Sequence, residues 1–207
     1  MIAKFLIARH AQPIANEQDI TDHGREQAHA TADAHLKEIR RFQSLAWSGE
    51  VRTRLTLIGG LLSHCKSIDG MRVEPALAWN GLHFDPEVPA KLKAPPISAA
   101  EAKGMHTKHG ANAIHRFQLL ELMERTIREQ YTGDGVPTRP FDINCLWVSH
   151  MGVIEPVANV DEKKMPVLGH ADILKVEWVV QGLNDSLTFR LSATEVLRCP
   201  IRSTPNT

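Results

Sequence analysis

Near the start of the chain, Phe5-Leu6-Ile7-Ala8 runs straight into Arg9-His10-Ala11-Gln12-Pro13. A short apolar run bounded by polar residues and a proline reads as a buried strand. Arg9 and His10 then stand at its carboxyl end, as the chain leaves the sheet. In open α/β sheets that end is where ligands bind. The pair offers a fixed positive charge beside a nitrogen nucleophile or base. A second run, Ile143-Asn144-Cys145-Leu146-Trp147-Val148-Ser149, also ends on a histidine, His150.

Between these runs the pattern alternates. Thr21 is a good N-cap and Asp22 suits the first turn of a helix. Ala28, Ala32, Leu36 and Ile39 continue it at helical spacing, predicting a helix to about Phe42. Residues 43–47 form a short strand. Ser48-Gly49-Glu50-Val51-Arg52 turns into a second helix carrying Leu55, Ile58, Leu61 and Leu62. A strand follows at 71–73. Strand, helix, strand, helix, strand argues for α/β with a mostly parallel sheet. The expected architecture is a three-layer α/β/α sandwich in a single domain spanning 1–207.

Prolines 75, 86, 89, 95 and 96 break the pattern over about 74–109. An excursion this long suits a lid or specificity element. A long helix is expected over about 111–131. After the second histidine, 151–154 is expected to open another helix. Residues 173–180 and 187–191 read as a hairpin, which could supply an edge for homodimer contacts. The tail from Pro200 is expected to be loose.

The chain has 207 residues, with 24 Lys+Arg against 24 Asp+Glu and 5% aromatic residues. Balanced charge gives no case for a nucleic-acid or membrane partner, and few aromatics argue against base stacking. No apolar run is long enough to span a bilayer. Cys65, Cys145 and Cys199 lack metal-ligand spacing, so a reduced cytoplasmic protein is expected, with Cys145 as a buried small hydrophobe. His106, His109 and His115 have no Cys or acidic partner at metal-site spacing and read as solvated. No metal or cofactor is expected.

If the strands are neighbours in a parallel sheet, Arg9, His10, Arg52 and His150 converge at one edge. Two guanidinium forks suit phosphoryl oxygens. One histidine can attack phosphorus and the other can hydrogen-bond the developing charge.

Four stretches resemble, in order, the signatures of the histidine phosphatase superfamily, the phosphoglycerate-mutase-like proteins. Arg9-His10-Ala11 is similar to Arg-His-Gly, with alanine for the glycine. Residues Thr21 to Ala28 are similar to Thr-x-x-Gly-x-x-Gln-Ala. Ser48 to Thr56 resembles Ser-Pro-x-x-Arg-Ala-x-x-Thr, with Gly49 for the proline and Thr53 for the alanine. Val148 to Ile154 resembles the second-histidine signature. Any one motif is weak; four in order are specific.

The resemblance implies that His10 is transiently phosphorylated, that Arg9, Arg52 and His150 complete a phosphate pocket, and that Asn16 touches substrate. It implies a phosphomonoesterase acting on a small phosphorylated molecule or a phosphoprotein. The family's usual acid does not carry over: Trp79 stands where a glutamate is expected, and Met151 where the other branch has aspartate. Glu74, Asp85 and Glu87 are the remaining candidates for the general acid. Two alternatives stay open: a protein that binds phosphate with little turnover, and a mutase.

Overall fold

A computed structural model describes residues 1–15, 17–65, 70–78, 111–132, 141–158, 167–182 and 186–202. Its centre is a six-stranded sheet. The strands are β1 (Ile2–Arg9), β2 (Ser44–Trp47), β3 (Met71–Val73), β4 (Ile143–Ser149), β5 (Ile173–Gln181) and β6 (Thr188–Leu197), in the spatial order β3-β2-β4-β1-β5-β6. The first four strands in that order are parallel, and β5 and β6 add antiparallel. The expected α/β architecture is therefore present.

Period-two alternation divides the sheet's side chains between two cores. Phe5, Ile7, Cys145 and Trp147 face one cluster, which holds Leu119, Leu120, Met123 and Ile127 of α3 (Ala111–Tyr131). Leu6, Ala8, Leu146 and Val148 face the other, with Ala28 and Ala32 of α1 (Asp22–His35) and Leu57 and Leu61 beyond α2 (Val51–Thr56). Phe5 and Trp147 pack with ring centroids 4.9 Å apart. Burying each such ring is worth about 1.5–3 kcal/mol.

Thr21 caps α1 as expected, its hydroxyl accepting the Gly24 N–H at 2.8 Å. The helix ends at His35 rather than Phe42. Leu36, Ile39 and Phe42 still pack on the same core, so the apolar spacing outlasts the helix. Leu57–Leu61 continues α2 as a π-helical turn. A Cβ on Gly60 would stand 2.3 Å from the Ala28 Cβ, so this close crossing needs glycine.

After β4 the expected helix is instead a turn followed by a 3₁₀ segment, Glu155–Ala158. Gly152 has φ +85°, which no helix accommodates. The chain at 198–202 is tied down rather than loose. His35 and His23 donate to the carbonyls of Arg198 and Arg202, both at 2.9 Å. Cys145 is buried in the sheet. No helix among the described residues is long and apolar enough to cross a membrane.

Candidate active site

The register of β1, β4 and β2 fixes where the candidate site residues emerge. Arg9 pairs with Ser149, and Trp47 with Val148, so the three strands end together. His10 continues the ladder one step, its N–H donating to the Ser149 carbonyl at 2.9 Å. His10, Ser48 and His150 thus leave the sheet side by side. Arg52 follows Ser48 in the first turn of α2. The structure brings together the four residues the sequence singles out.

His10 is 6% exposed. Its Nδ1 lies 2.8 Å from the Ala11 carbonyl, which can only accept. Nδ1 therefore carries the proton, and Nε2 keeps its lone pair. Burial, with His150, Arg52 and Arg9 nearby, pushes the His10 pKa down to about 2. The ring is a neutral base with one free nitrogen across the whole physiological range.

The loop after His10 is fixed from three directions. Thr56 Oγ1 accepts the Ala11 N–H at 2.9 Å and donates to the Arg52 carbonyl at 2.8 Å. Gln27 Oε1 accepts the Gln12 N–H at 3.1 Å. A Cβ on Gly24 would sit 2.5 Å from the Gln12 oxygen, so only glycine lets α1 approach this closely. The Thr-x-x-Gly-x-x-Gln pattern thus supplies the cap, the close approach and the loop clamp.

His150 is held by a hydroxyl relay. The Thr53 hydroxyl donates to the Glu50 carbonyl at 2.7 Å, which uses its one proton. Ser48 must then donate to Thr53 at 3.0 Å, and His150 Nε2–H to Ser48 at 2.8 Å. The His10 and His150 rings meet edge to face, with centroids 5.2 Å apart. Burial lowers the His150 pKa to about 4, with Glu50 opposing and Arg52 and Arg9 adding to the fall.

Arg9 spans the far wall. Its Nη1 donates to the Leu168 carbonyl at 2.6 Å, and its Nη2 to His170 Nε2 at 3.2 Å. Since Arg9 can only donate, His170 accepts there and holds its proton on Nδ1. Burial, then Arg9, lowers the His170 pKa to about 4. Glu155 secures this wall by accepting the Gly152 and Leu168 N–H groups at 2.6 and 3.2 Å. Arg52 meets Glu50 at 2.6 Å. The Nε–H groups of Arg9 and Arg52 are buried and reach no acceptor among the described residues. Two guanidiniums, each with a buried and unused Nε–H, stand beside a bare imidazole nitrogen, an arrangement that can bind an anion and place a nucleophile against it.

Three residues around this site were not singled out from the sequence: Glu50, Thr56 and His170. His170 precedes β5, which runs antiparallel to β1, so the start of β5 lies at the strand ends where His10 emerges. Arg72 and Arg125 hold the two Glu74 oxygens at 2.8 and 3.0 Å. Asn16, Trp79, Asp85 and Glu87 lie outside the described residues. His115 is buried, not solvated as expected, and the described residues hold no cluster suited to a metal.

No protein-family model matches the chain, and no curated protein does. Solved structures do. A mycobacterial glucosyl-3-phosphoglycerate phosphatase complexed with VO3 aligns over 92% of this chain and 97% of its own, with TM-score 0.52 and 15% identity. Phosphoglycerate mutase from Bacillus anthracis aligns over 93% and 92%, with TM-score 0.52 and 17% identity. The protein histidine phosphatase SixA, complexed with tungstate, aligns over 92% and 95%, with TM-score 0.50 and 14% identity. At these identities the likeness establishes the fold.

Proposed function

On the phosphoglycerate-mutase-like fold of the histidine phosphatase superfamily, we propose a phosphomonoesterase that works through phosphorylated His10. The observation that carries this reading is the His10–Ala11 hydrogen bond, which leaves Nε2 bare inside a pocket built by Arg9, Arg52 and His150. The substrate's phosphoryl oxygens take the unused Nε–H donors of the two arginines. His10 Nε2 attacks phosphorus in line with the ester oxygen. The guanidiniums stabilise the charge on the equatorial oxygens, and His150 joins them by turning its Nε2–H from the Ser48 hydroxyl to a phosphoryl oxygen. Water then hydrolyses the phosphohistidine and releases inorganic phosphate.

Arg9 and His170 also border a cavity of about 740 Å³, walled by Leu168, Asp172 and Arg198. That volume suits a small phosphorylated molecule. The excursion at about 74–109, in a single domain, would add specificity as a lid, and Asn16 a further substrate contact. The neighbours named above include phosphatases and a mutase. The reading extends to a cytoplasmic protein with three free cysteines, its edge strand β6 open to a homodimer partner.

The test is hydrolysis of para-nitrophenyl phosphate by the wild type and His10→Ala. The substitution should abolish turnover. Equal turnover in both would exclude a His10 nucleophile. Binding of phosphate with no turnover in the wild type would favour a phosphate-binding protein instead.

A further inference from the structure

Glu50 puts a carboxylate where an anion-binding pocket should have none. Its Oε1 is 3.3 Å from His150 Nε2, and its Oε2 touches Arg52 Nη2 at 2.6 Å without an aligned hydrogen bond. Both partners belong to the phosphate pocket proposed above. The position is set by the fold. Glu50 is the N-cap residue of α2, two residues before Arg52, and it follows Gly49, whose φ of +93° makes the turn. Its side chain makes no cap hydrogen bond and is turned toward the pocket instead.

A phosphoryl group that takes the donors of Arg52 and His150 must meet this carboxylate. Two anions in contact repel, and like charges this close favour protonation of one of them. The groups facing Glu50 are Arg52 on its own helix, His150 from β4, and beyond them Arg9 and His10 from β1. The cations turn to the phosphoryl oxygens when substrate binds. With a proton on Glu50, repulsion becomes a hydrogen bond donated to the substrate.

We propose that Glu50 is the general acid of this site, protonated as the phosphoryl group binds and donating that proton to the leaving oxygen. The assignment rests on the phosphohistidine reading. The His10 Nε2 lone pair forms the N–P bond. The P–O bond to the leaving group breaks, its electron pair goes to the ester oxygen, and that oxygen takes the Glu50 proton. In the second half, water attacks the phosphohistidine. Glu50 carboxylate takes one water proton, the N–P bond returns its electrons to His10, and hydrogen phosphate leaves with Glu50 protonated again.

The experiment compares Glu50→Gln with the wild type on two substrates. Glycerol phosphate has a poor leaving group and para-nitrophenyl phosphate a good one. Glu50→Gln should slow the first-turnover release of glycerol from glycerol phosphate by about 10²–10⁴-fold, and that of para-nitrophenol from para-nitrophenyl phosphate by less than about tenfold. A residue with only a structural role would lower both alike. Inorganic phosphate binding, followed by calorimetry in two buffers of different ionisation enthalpy, supplies a readout without turnover. The wild type should take up a proton on binding, and Glu50→Gln should not. Equal loss on both substrates, no loss on either, or unchanged proton uptake would each overturn the assignment. Persistent turnover in His10→Ala would instead sink the phosphohistidine reading, which separates the two failures.

Discussion

The imidazoles of His10 and His150 meet edge to face, with centroids 5.2 Å apart. They come from parallel strands distant in sequence, and each is fixed by its own partner: a carbonyl for His10, a serine hydroxyl for His150. Burial keeps both neutral at physiological pH.

That neutrality predicts acid sensitivity. His10, His150 and His170 have native pKa values of about 2, 4 and 4, against 6.5 when unperturbed. Above pH 6.5 neither the folded nor the unfolded chain is protonated at these sites, so they contribute nothing. As pH falls below 6.5, the unfolded chain binds protons that the native rings refuse, and stability drops. Each ring contributes a slope of about 1.4 kcal/mol per pH unit. The loss from His150 and His170 ends near pH 4, and that from His10 continues toward pH 2. Urea midpoints followed downward from neutral pH should fall steeply; a flat profile would contradict the buried neutral assignment.

Thr56 ties the loop after His10 to the start of α2. Thr56→Val keeps the volume but leaves the buried Ala11 N–H without its acceptor. The expected cost is about 1–3 kcal/mol of stability. Because the same loop sets the His10–Ala11 bond, kcat on para-nitrophenyl phosphate should also fall. Unfolding curves and initial rates check both.

Gly24→Ala drives a methyl group into the Gln12 carbonyl at 2.5 Å, a backbone contact that cannot swing away. The strain should cost about 1–3 kcal/mol. Phosphate affinity should weaken with it, since Gln12 belongs to the loop that follows His10. Denaturant unfolding and phosphate titration would show whether the two losses travel together.

His170 positions Arg9 through a hydrogen bond at 3.2 Å. His170→Ala should weaken phosphate binding, and His170→Gln, which keeps an acceptor on the side chain, should recover part of it. Wild type with phosphate at a hundred times Kd should gain about 2.7 kcal/mol of stability. Thermal shifts across a phosphate series measure the ranking. Equal shifts in all three proteins would remove His170 from the site.

The strands that carry the candidate site were legible because apolar runs announce buried strands, and an arginine and two histidines stand at their carboxyl ends. Arg9, His10, Arg52 and His150 converge as that logic requires. Where apolar spacing continues past a helix end, it misleads: Leu36, Ile39 and Phe42 keep the pattern after α1 has stopped. Glu50 was not legible as a site residue, because the turn at Gly49 and the absent cap bond aim it, and periodicity carries neither. His170 could have been found by noticing that an antiparallel strand starts where its parallel neighbours end. Residues 200–202 depart from the loose expectation because His23, which holds the Arg202 carbonyl, looks like an ordinary solvated helix residue.

The most direct measurement is a rapid acid-free quench of the wild type during turnover of para-nitrophenyl phosphate, followed by peptide mass spectrometry. The account predicts one phosphoryl group on His10, labile in acid and absent from His10→Ala. A turnover-competent enzyme with no phosphorylated His10 peptide at any quench time, or with the label on another residue, would contradict it.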